Sequence, residues 1–134
     1  MDDAPPYQPS DTFCELCLRP YKDDGWGKQS ATFGFACHRC VNKACRVVRR
    51  HNRRARKAGC VGRLYAFQWL SILFGSTFRC GTCKERTHLT LDHIIPLRDG
   101  GMNLAHNIQA LCLCCHGLKD NIPSGTKRSG YFCG

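Results

Sequence analysis

Between residues 25 and 84 this 134-residue chain contains no aspartate or glutamate. Thirteen Lys and Arg side chains occupy that stretch, whereas residues 1–24 carry six acids against two bases and residues 85–134 four against five. A helix kept in water usually alternates its signs to gain i,i+4 pairs, and the missing acids exclude that arrangement here. Long apolar runs are also absent. The richest, Tyr65 to Phe74, is interrupted by Gln68 and Ser71, so no segment is expected to span a membrane. Met1 to Asp11 is acidic and proline-rich and lacks the apolar run of a secretion signal, so an intracellular protein is expected, in cytoplasm or nucleus, not a secreted one. A chain this short can bury only a limited apolar core and often needs a covalent or metal staple.

Cysteine is what the chain has in abundance. Of twelve cysteines, eight fall into four Cys-x-x-Cys pairs: Cys14/Cys17, Cys37/Cys40, Cys80/Cys83 and Cys112/Cys115. That spacing lets two thiolates grip one tetrahedral Zn²⁺, and disulfide scaffolds rarely repeat it so regularly. Two structural four-cysteine zinc sites are therefore expected, one from the first two pairs and one from the last two. His38 is an alternative to Cys40, and Cys114 a rival to Cys115. Cys45, Cys60 and Cys133 have no assigned partner and read as buried free thiols. Eight thiolates and two Zn²⁺ would lower the formal charge from +10 to +6, which still leaves a polycation suited to a polyanionic partner.

Residues 1–12, with Pro5, Pro6 and Pro9, read as a flexible leader. Gly25, Gly27 and Gly34, interleaved with Trp26, Phe33 and Phe35, predict a loop and hairpin between the first two cysteine pairs. Residues 41–58 read as one helix ended by Gly59, completing an N-terminal zinc module and basic helix over 13–58. Val41, Ala44, Val47 or Val48, and Ala55 form only a thin apolar stripe on it. Lys43, Arg46, Arg49, Arg50, Arg53, Arg54, Arg56 and Lys57 cover its other faces. Eight like charges repel one another unless phosphates neutralise them, so this helix is expected to lie on a DNA backbone. A second helix is predicted over 62–75, with Leu64, Phe67, Leu70, Leu73 and Phe74 at core spacing and Trp69 packing rather than stacking on bases. It lacks a Ser, Thr or Asp cap.

From residue 80 the pattern sharpens. Leu89 and Leu91 alternate with Thr90 and Asp92, as in a half-buried strand. Pro96 and Gly100-Gly101 break the chain, Ile108 and Ala110 suggest a return strand, and the last cysteine pair opens a helix carrying His116 and Lys119 on one face. Strict alternation would put Asp92 and His93 on opposite faces unless the strand ends or bends there. Asp92-His93-Ile94-Ile95-Pro96, Gly100-Gly101, Asn107, Cys112-x-x-Cys115-His116 and Lys119 resemble the motif of the HNH (ββα-metal) endonucleases of phage, restriction and homing systems. The resemblance covers residues 80–120 closely and 53–75 more loosely. The N-terminal cysteine pairs are similar to those of small rare-cutting restriction enzymes that carry two four-cysteine zincs and act as homodimers.

The resemblance implies a small zinc-stapled α+β protein whose residues 59–134 form a ββα-metal nuclease domain. It implies hydrolysis of DNA phosphodiester bonds, with double-stranded DNA as partner and a homodimer as one assembly. Such hydrolysis needs an activated water and a cation to take up charge on the phosphoryl group and the leaving 3′ oxygen. Histidine, with an ordinary pKa near 6.5, can accept the proton, which makes His93 the expected general base. Asp92 and His116 would hold one divalent ion, Mg²⁺ or Mn²⁺ foremost, although Ni²⁺ or Zn²⁺ also suits an O/N site. Asn107 would tie the loop together and orient the His93 ring. Lys119 or Arg98 would contact a phosphate. The zinc of Cys80, Cys83, Cys112 and Cys115 would be structural. His88 and His106 are expected to be structural or exposed. A non-catalytic zinc DNA-binding module and an RNA-directed nuclease are the alternatives.

Overall fold

The computed structural model describes residues 13–20 and 36–119. The leader at 1–12, the hairpin expected around Trp26, Phe33 and Phe35, and Cys133 lie outside the described residues. Two compact units divide the chain, residues 1–44 and 45–134.

In the first unit Phe13 and Pro20 pair as an isolated antiparallel bridge around Cys14 and Cys17. The turn between them has a defined hydrogen-bond pattern. The Cys14 N–H donates to Arg19 O at 2.9 Å, the Leu18 N–H to Cys14 O at 2.8 Å, and Leu18 is left-handed at φ 61°. Cys80 repeats the pattern in the second unit: its N–H reaches Glu85 O at 3.0 Å, the Lys84 N–H reaches Cys80 O at 3.1 Å, and Lys84 has φ 63°. A non-glycine residue in that region is unusual. Finding one at the same offset in both Cys-x-x-Cys turns shows two copies of one local design.

Helix α1 spans His38–Lys57, beginning in the first unit and continuing into the second. It starts three residues before the expected position. Its buried stripe is Ala44, Val48, His51 and Ala55, at helical spacing, while all eight Lys and Arg positions named above are exposed. The helix stops at Gly59, where φ is +70°. The Cys60 N–H bonds to Ala55 O at 2.9 Å and the Gly59 N–H to Arg56 O at 3.2 Å, the paired bonds of a Schellman stop.

The second helix, α2, spans Ala66–Gly75, four residues shorter at its start than the pattern predicts. The cause is tertiary. Asn52 on α1 takes both backbone groups of Leu64, accepting its N–H at 2.8 Å and donating to its carbonyl at 2.9 Å, which holds that segment out of the helix. The missing cap is supplied from within, because Gln68 Oε1 accepts the Tyr65 N–H at 3.0 Å. Trp69, Leu70 and Leu73 are buried, as expected of a core helix. Phe67 is exposed, contrary to expectation, because the helix buries the face of Trp69, Leu70 and Leu73 instead.

Strands β1 (Leu89–His93) and β2 (Ile108–Cys112) pair antiparallel, with Asp92 opposite Gln109 and His93 opposite Ile108. Short 3₁₀ turns at Leu97–Asp99 and Ala105–Asn107 lie between them. Helix α3 (Leu113–Lys119) follows β2 without a break and packs on both strands. The result is a small α+β protein with a ββα unit at its C-terminal end. No helix among the described residues is long and apolar enough to cross a membrane.

Candidate active site and its cysteine clamp

The eight paired cysteines gather as two groups of four: Cys14, Cys17, Cys37 and Cys40, and Cys80, Cys83, Cys112 and Cys115. Four sulfurs each about 2.3 Å from one tetrahedral zinc stand about 3.8 Å apart. The observed separations are 3.7 Å for Cys14–Cys40 and 3.8 Å for both Cys17–Cys37 and Cys83–Cys112. Backbone N–H groups point at the sulfurs: Cys37 at Cys14 (3.3 Å), Thr82 at Cys80 (3.4 Å) and Cys115 at Cys112 (3.3 Å). These donors favour thiolate over thiol. The pKa of Cys14 is correspondingly pulled down to about 4, chiefly by its hydrogen bond with Cys40, with burial opposing. Both groups fit zinc. Cys40 rather than His38 completes the first, and Cys115 rather than Cys114 the second; Cys114 is disulfide-bonded. Cys45 and Cys60 are free thiols, half-buried rather than buried, and Cys60 Sγ lies 3.5 Å from Leu97 O.

The second group closes the ββα unit, since Cys112 ends β2 and Cys115 lies in the first turn of α3. That closure brings α3 against β1. Asp92, only 3% exposed, has its carboxylate 3.1 Å from Lys119 Nζ and 3.4 Å from His116 Nε2, and it accepts from Gln109 Nε2 at 2.8 Å. Lys119 also donates to the His93 carbonyl at 2.7 Å.

The protonation of His116 follows from its neighbour. Thr90 Oγ1 gives its single proton to Leu111 O at 2.8 Å, so at 2.7 Å from His116 Nδ1 it must accept. Nδ1 of His116 therefore carries a hydrogen, and in the neutral ring the Nε2 lone pair faces an Asp92 oxygen. The separation of 3.4 Å is long for a charge-assisted hydrogen bond, which runs about 2.7–2.9 Å. It does suit two ligands on one cation, because atoms each about 2.1 Å from an ion and roughly 110° apart are about 3.4 Å from one another. Metal-binding histidines ordinarily donate their second ring N–H to a fixed acceptor, the part that Thr90 Oγ1 takes here.

His93 ends β1, and its ring lies elsewhere than the Asp92 carboxylate. Its Nε2 meets Asn103 Oδ1 at 2.9 Å, and its ring centroid is 5.5 Å from that of His51. The structure thus brings Asp92, His116 and Lys119 into direct contact and sets His93 beside them through the Lys119 bridge. Asn107 ties the loop as expected: it accepts the Ile95 N–H at 2.9 Å and donates to the Ile95 and Met102 carbonyls at 3.0 and 2.8 Å. The His93 ring is hydrogen-bonded instead to Asn103, whose Oδ1 accepts from it. Gly101 has a steric reason to be glycine, since a Cβ there would lie 1.8 Å from Ile95 O. His88 and His106 are exposed, and Arg98 is exposed beside Asp99.

Sequence reasoning missed Thr90, Asn103, Asn52 and His51. The last two had a faint signal, as the only polar uncharged pair inside an arginine run. His51 is buried, and its Nδ1 has no hydrogen-bond partner among the described residues. Burial first, then the charges of His93, Arg54, Arg50 and His116, push its pKa down to about 4. Between pH 6.5 and 4 the unfolded chain therefore binds a proton that the folded one refuses, and stability falls as pH falls through that window. The expected loss is about 2 kcal/mol between pH 7 and 4.5. Urea melts of wild type and His51→Leu at both pH values should show that the variant loses less on acidification. Equal losses would remove His51 as the cause.

The class these observations define is a ββα unit closed by a four-cysteine clamp, with a carboxylate–imidazole pair between its first strand and its helix. Residues 78–129, the segment that holds β1, β2, α3 and the second cysteine group, match the family model described as HNH endonuclease. No curated protein and no solved structure matches the chain.

Proposed function

We propose that the protein is a metal-dependent endonuclease hydrolysing phosphodiester bonds of double-stranded DNA, with His93 as general base and a divalent ion, Mg²⁺ or Mn²⁺, held by Asp92 and His116. The observation that carries this reading is the His116 ring, whose Nδ1–H is anchored on Thr90 while its Nε2 faces Asp92 Oδ1 at 3.4 Å. When bound, the ion would offset charge on the phosphoryl group and the leaving 3′ oxygen. His93 takes a proton from water as the new O–P bond forms and the P–O3′ bond breaks. Asn107 keeps the loop after β1 fixed, so that the base and the ligand pair hold their spacing. Lys119, already against Asp92 and the His93 carbonyl, brings a positive charge to the position where a phosphate would arrive.

Supercoiled plasmid incubated with Mg²⁺ or Mn²⁺ should become nicked or linear, chelator should stop the reaction, and added metal should restore it. Intact plasmid under every metal condition would sink the enzyme reading. Duplex RNA added as competitor should inhibit less than duplex DNA; stronger inhibition would move the substrate assignment to RNA.

Helix α1 supplies the docking surface in this reading, with Arg49, Arg50, Arg53 and Arg54 all exposed on a helix that has no acid to pair with them. Each neutralised phosphate contributes about 0.9 to the slope of log affinity against log salt. Changing these four to alanine should lower that slope by roughly 3 to 4 in a fluorescence-anisotropy titration of duplex DNA. An unchanged slope would reduce the helix to a solvated face.

A further inference from the structure

We propose that Asn103 and Asn52 are positioning residues that fix the His93 ring as its Nε2–H tautomer and so make Nδ1 the atom that receives the proton. This role rests on His93 being the base, and it begins at two backbone groups whose polarity is not adjustable. The Leu64 N–H can only donate, so the Asn52 atom it meets at 2.8 Å is the oxygen; the Leu64 carbonyl can only accept, so the atom at 2.9 Å is Nδ2. Asn52 Oδ1 therefore faces Asn103 as an acceptor at 2.8 Å, and the Asn103 atom there is Nδ2. That leaves Asn103 Oδ1 against His93 Nε2 at 2.9 Å. An amide oxygen has no hydrogen to give, so Nε2 must hold one, and the lone pair of the neutral ring lies on Nδ1.

Burial makes the relay rigid. Asn103 is fully buried, and its own N–H is bonded to Val61 O at 2.7 Å. Reversing the Asn103 amide would set its oxygen against that of Asn52, and reversing Asn52 would break both bonds to Leu64. With these contacts made, the ring has one tautomer available, and its plane is held by an amide anchored on α1. The helix that carries arginines outward therefore also carries, through Asn52, the support of the base.

The test is spectroscopic first and kinetic second, on the zinc-loaded full chain with ring-¹⁵N histidine. In long-range ¹H–¹⁵N spectra at about pH 8, above the ordinary histidine range, the His93 signals, identified by their loss in His93→Ala, should show a protonated Nε2 and an unprotonated Nδ1. Asn103→Leu and Asn52→Leu should give mixed tautomers. Each should lower kcat for plasmid nicking about 10- to 100-fold while leaving KM within about twofold, as expected for a misplaced reacting group. Asn52→Asp keeps an acceptor for the Leu64 N–H and for Asn103 but sets its second oxygen against the Leu64 carbonyl, so it should retain the wild-type tautomer at a cost in stability. A wild-type His93 protonated on Nδ1 would overturn the proposal whether or not any variant folds. So would a folded leucine variant with unchanged kcat, or a folded Asn52→Asp with the mixed tautomers of Asn52→Leu. Failure of the underlying reading has a different signature: undiminished nicking by His93→Ala, whatever the tautomer.

Discussion

Replacing His93 by alanine is expected to slow plasmid nicking by about 10²- to 10⁴-fold, the range that a positioned general base contributes. DNA affinity should be nearly unchanged, because the exposed arginines of α1 are untouched. Zinc content should also be unchanged, because His93 belongs to neither cysteine group. Truncation leaves Asn103 Oδ1 without its ring partner inside the protein, which costs about 1–3 kcal/mol, so the assay belongs well below the melting temperature. The vacated space beside His51 and Asn103 offers a control. Millimolar imidazole should restore part of the rate in His93→Ala and none in Asp92→Ala, where the missing group is a ligand and not a base. Equal nicking by wild type and His93→Ala would withdraw the proton-transfer role from this residue.

Much of this arrangement was legible before any coordinates, and the reason is chemical. Zinc ligation ties residue type to short spacing, so four Cys-x-x-Cys pairs announce two clusters, and the clusters in turn fix which strand and helix ends meet. Alternation at 89–92 and the glycine pair at 100–101 placed the hairpin for similarly local reasons. The partners of His93 were not legible. Asn52 and Asn103 stand 51 residues apart and meet only after α1 and the loop following β1 have packed. No periodicity encodes such a side-chain bond. The start of α2 was misjudged for the same cause: the pattern from 62 onward is helical, but Asn52 takes the Leu64 carbonyl that a helix starting there would have bonded to Gln68. His51 shows the converse error, in which a charge run concealed the inward-facing residue of the stripe Ala44, Val48, His51 and Ala55. The resemblance supplied Asp92, His93, Asn107 and His116, whereas the geometry supplied the bonds that hold two of those rings.

Removing one sulfur from the second cysteine group should abolish the ββα unit outright, a larger effect than any change in the residues proposed as catalytic. Its interior is small: Leu111, Cys80, Cys112, Cys114 and Cys115, with Leu89 and Cys83 partly buried against them. Structural zinc binding is worth about 10–16 kcal/mol in small domains, as much as or more than the total stability of about 5–15 kcal/mol that a domain usually has. Loss of tight zinc binding in Cys112→Ala would therefore leave β1, β2 and α3 without enough burial to hold together. The Asp92–His116 spacing depends on that packing, so activity should vanish with it. Metal analysis of the wild type should find two tightly held zinc ions per chain, and Cys112→Ala and Cys17→Ala one each. The two variants should then diverge. Cys112→Ala should lose the protected amides of β1 and β2 in hydrogen exchange, while Cys17→Ala, altered only in the first unit, should keep them. Asp92→Asn completes the comparison, with both zincs and protected strands retained but nicking lost. A Cys112→Ala protein that kept its strand protection would mean that the apolar contacts alone suffice, and the clamp would lose its place as the origin of the site geometry.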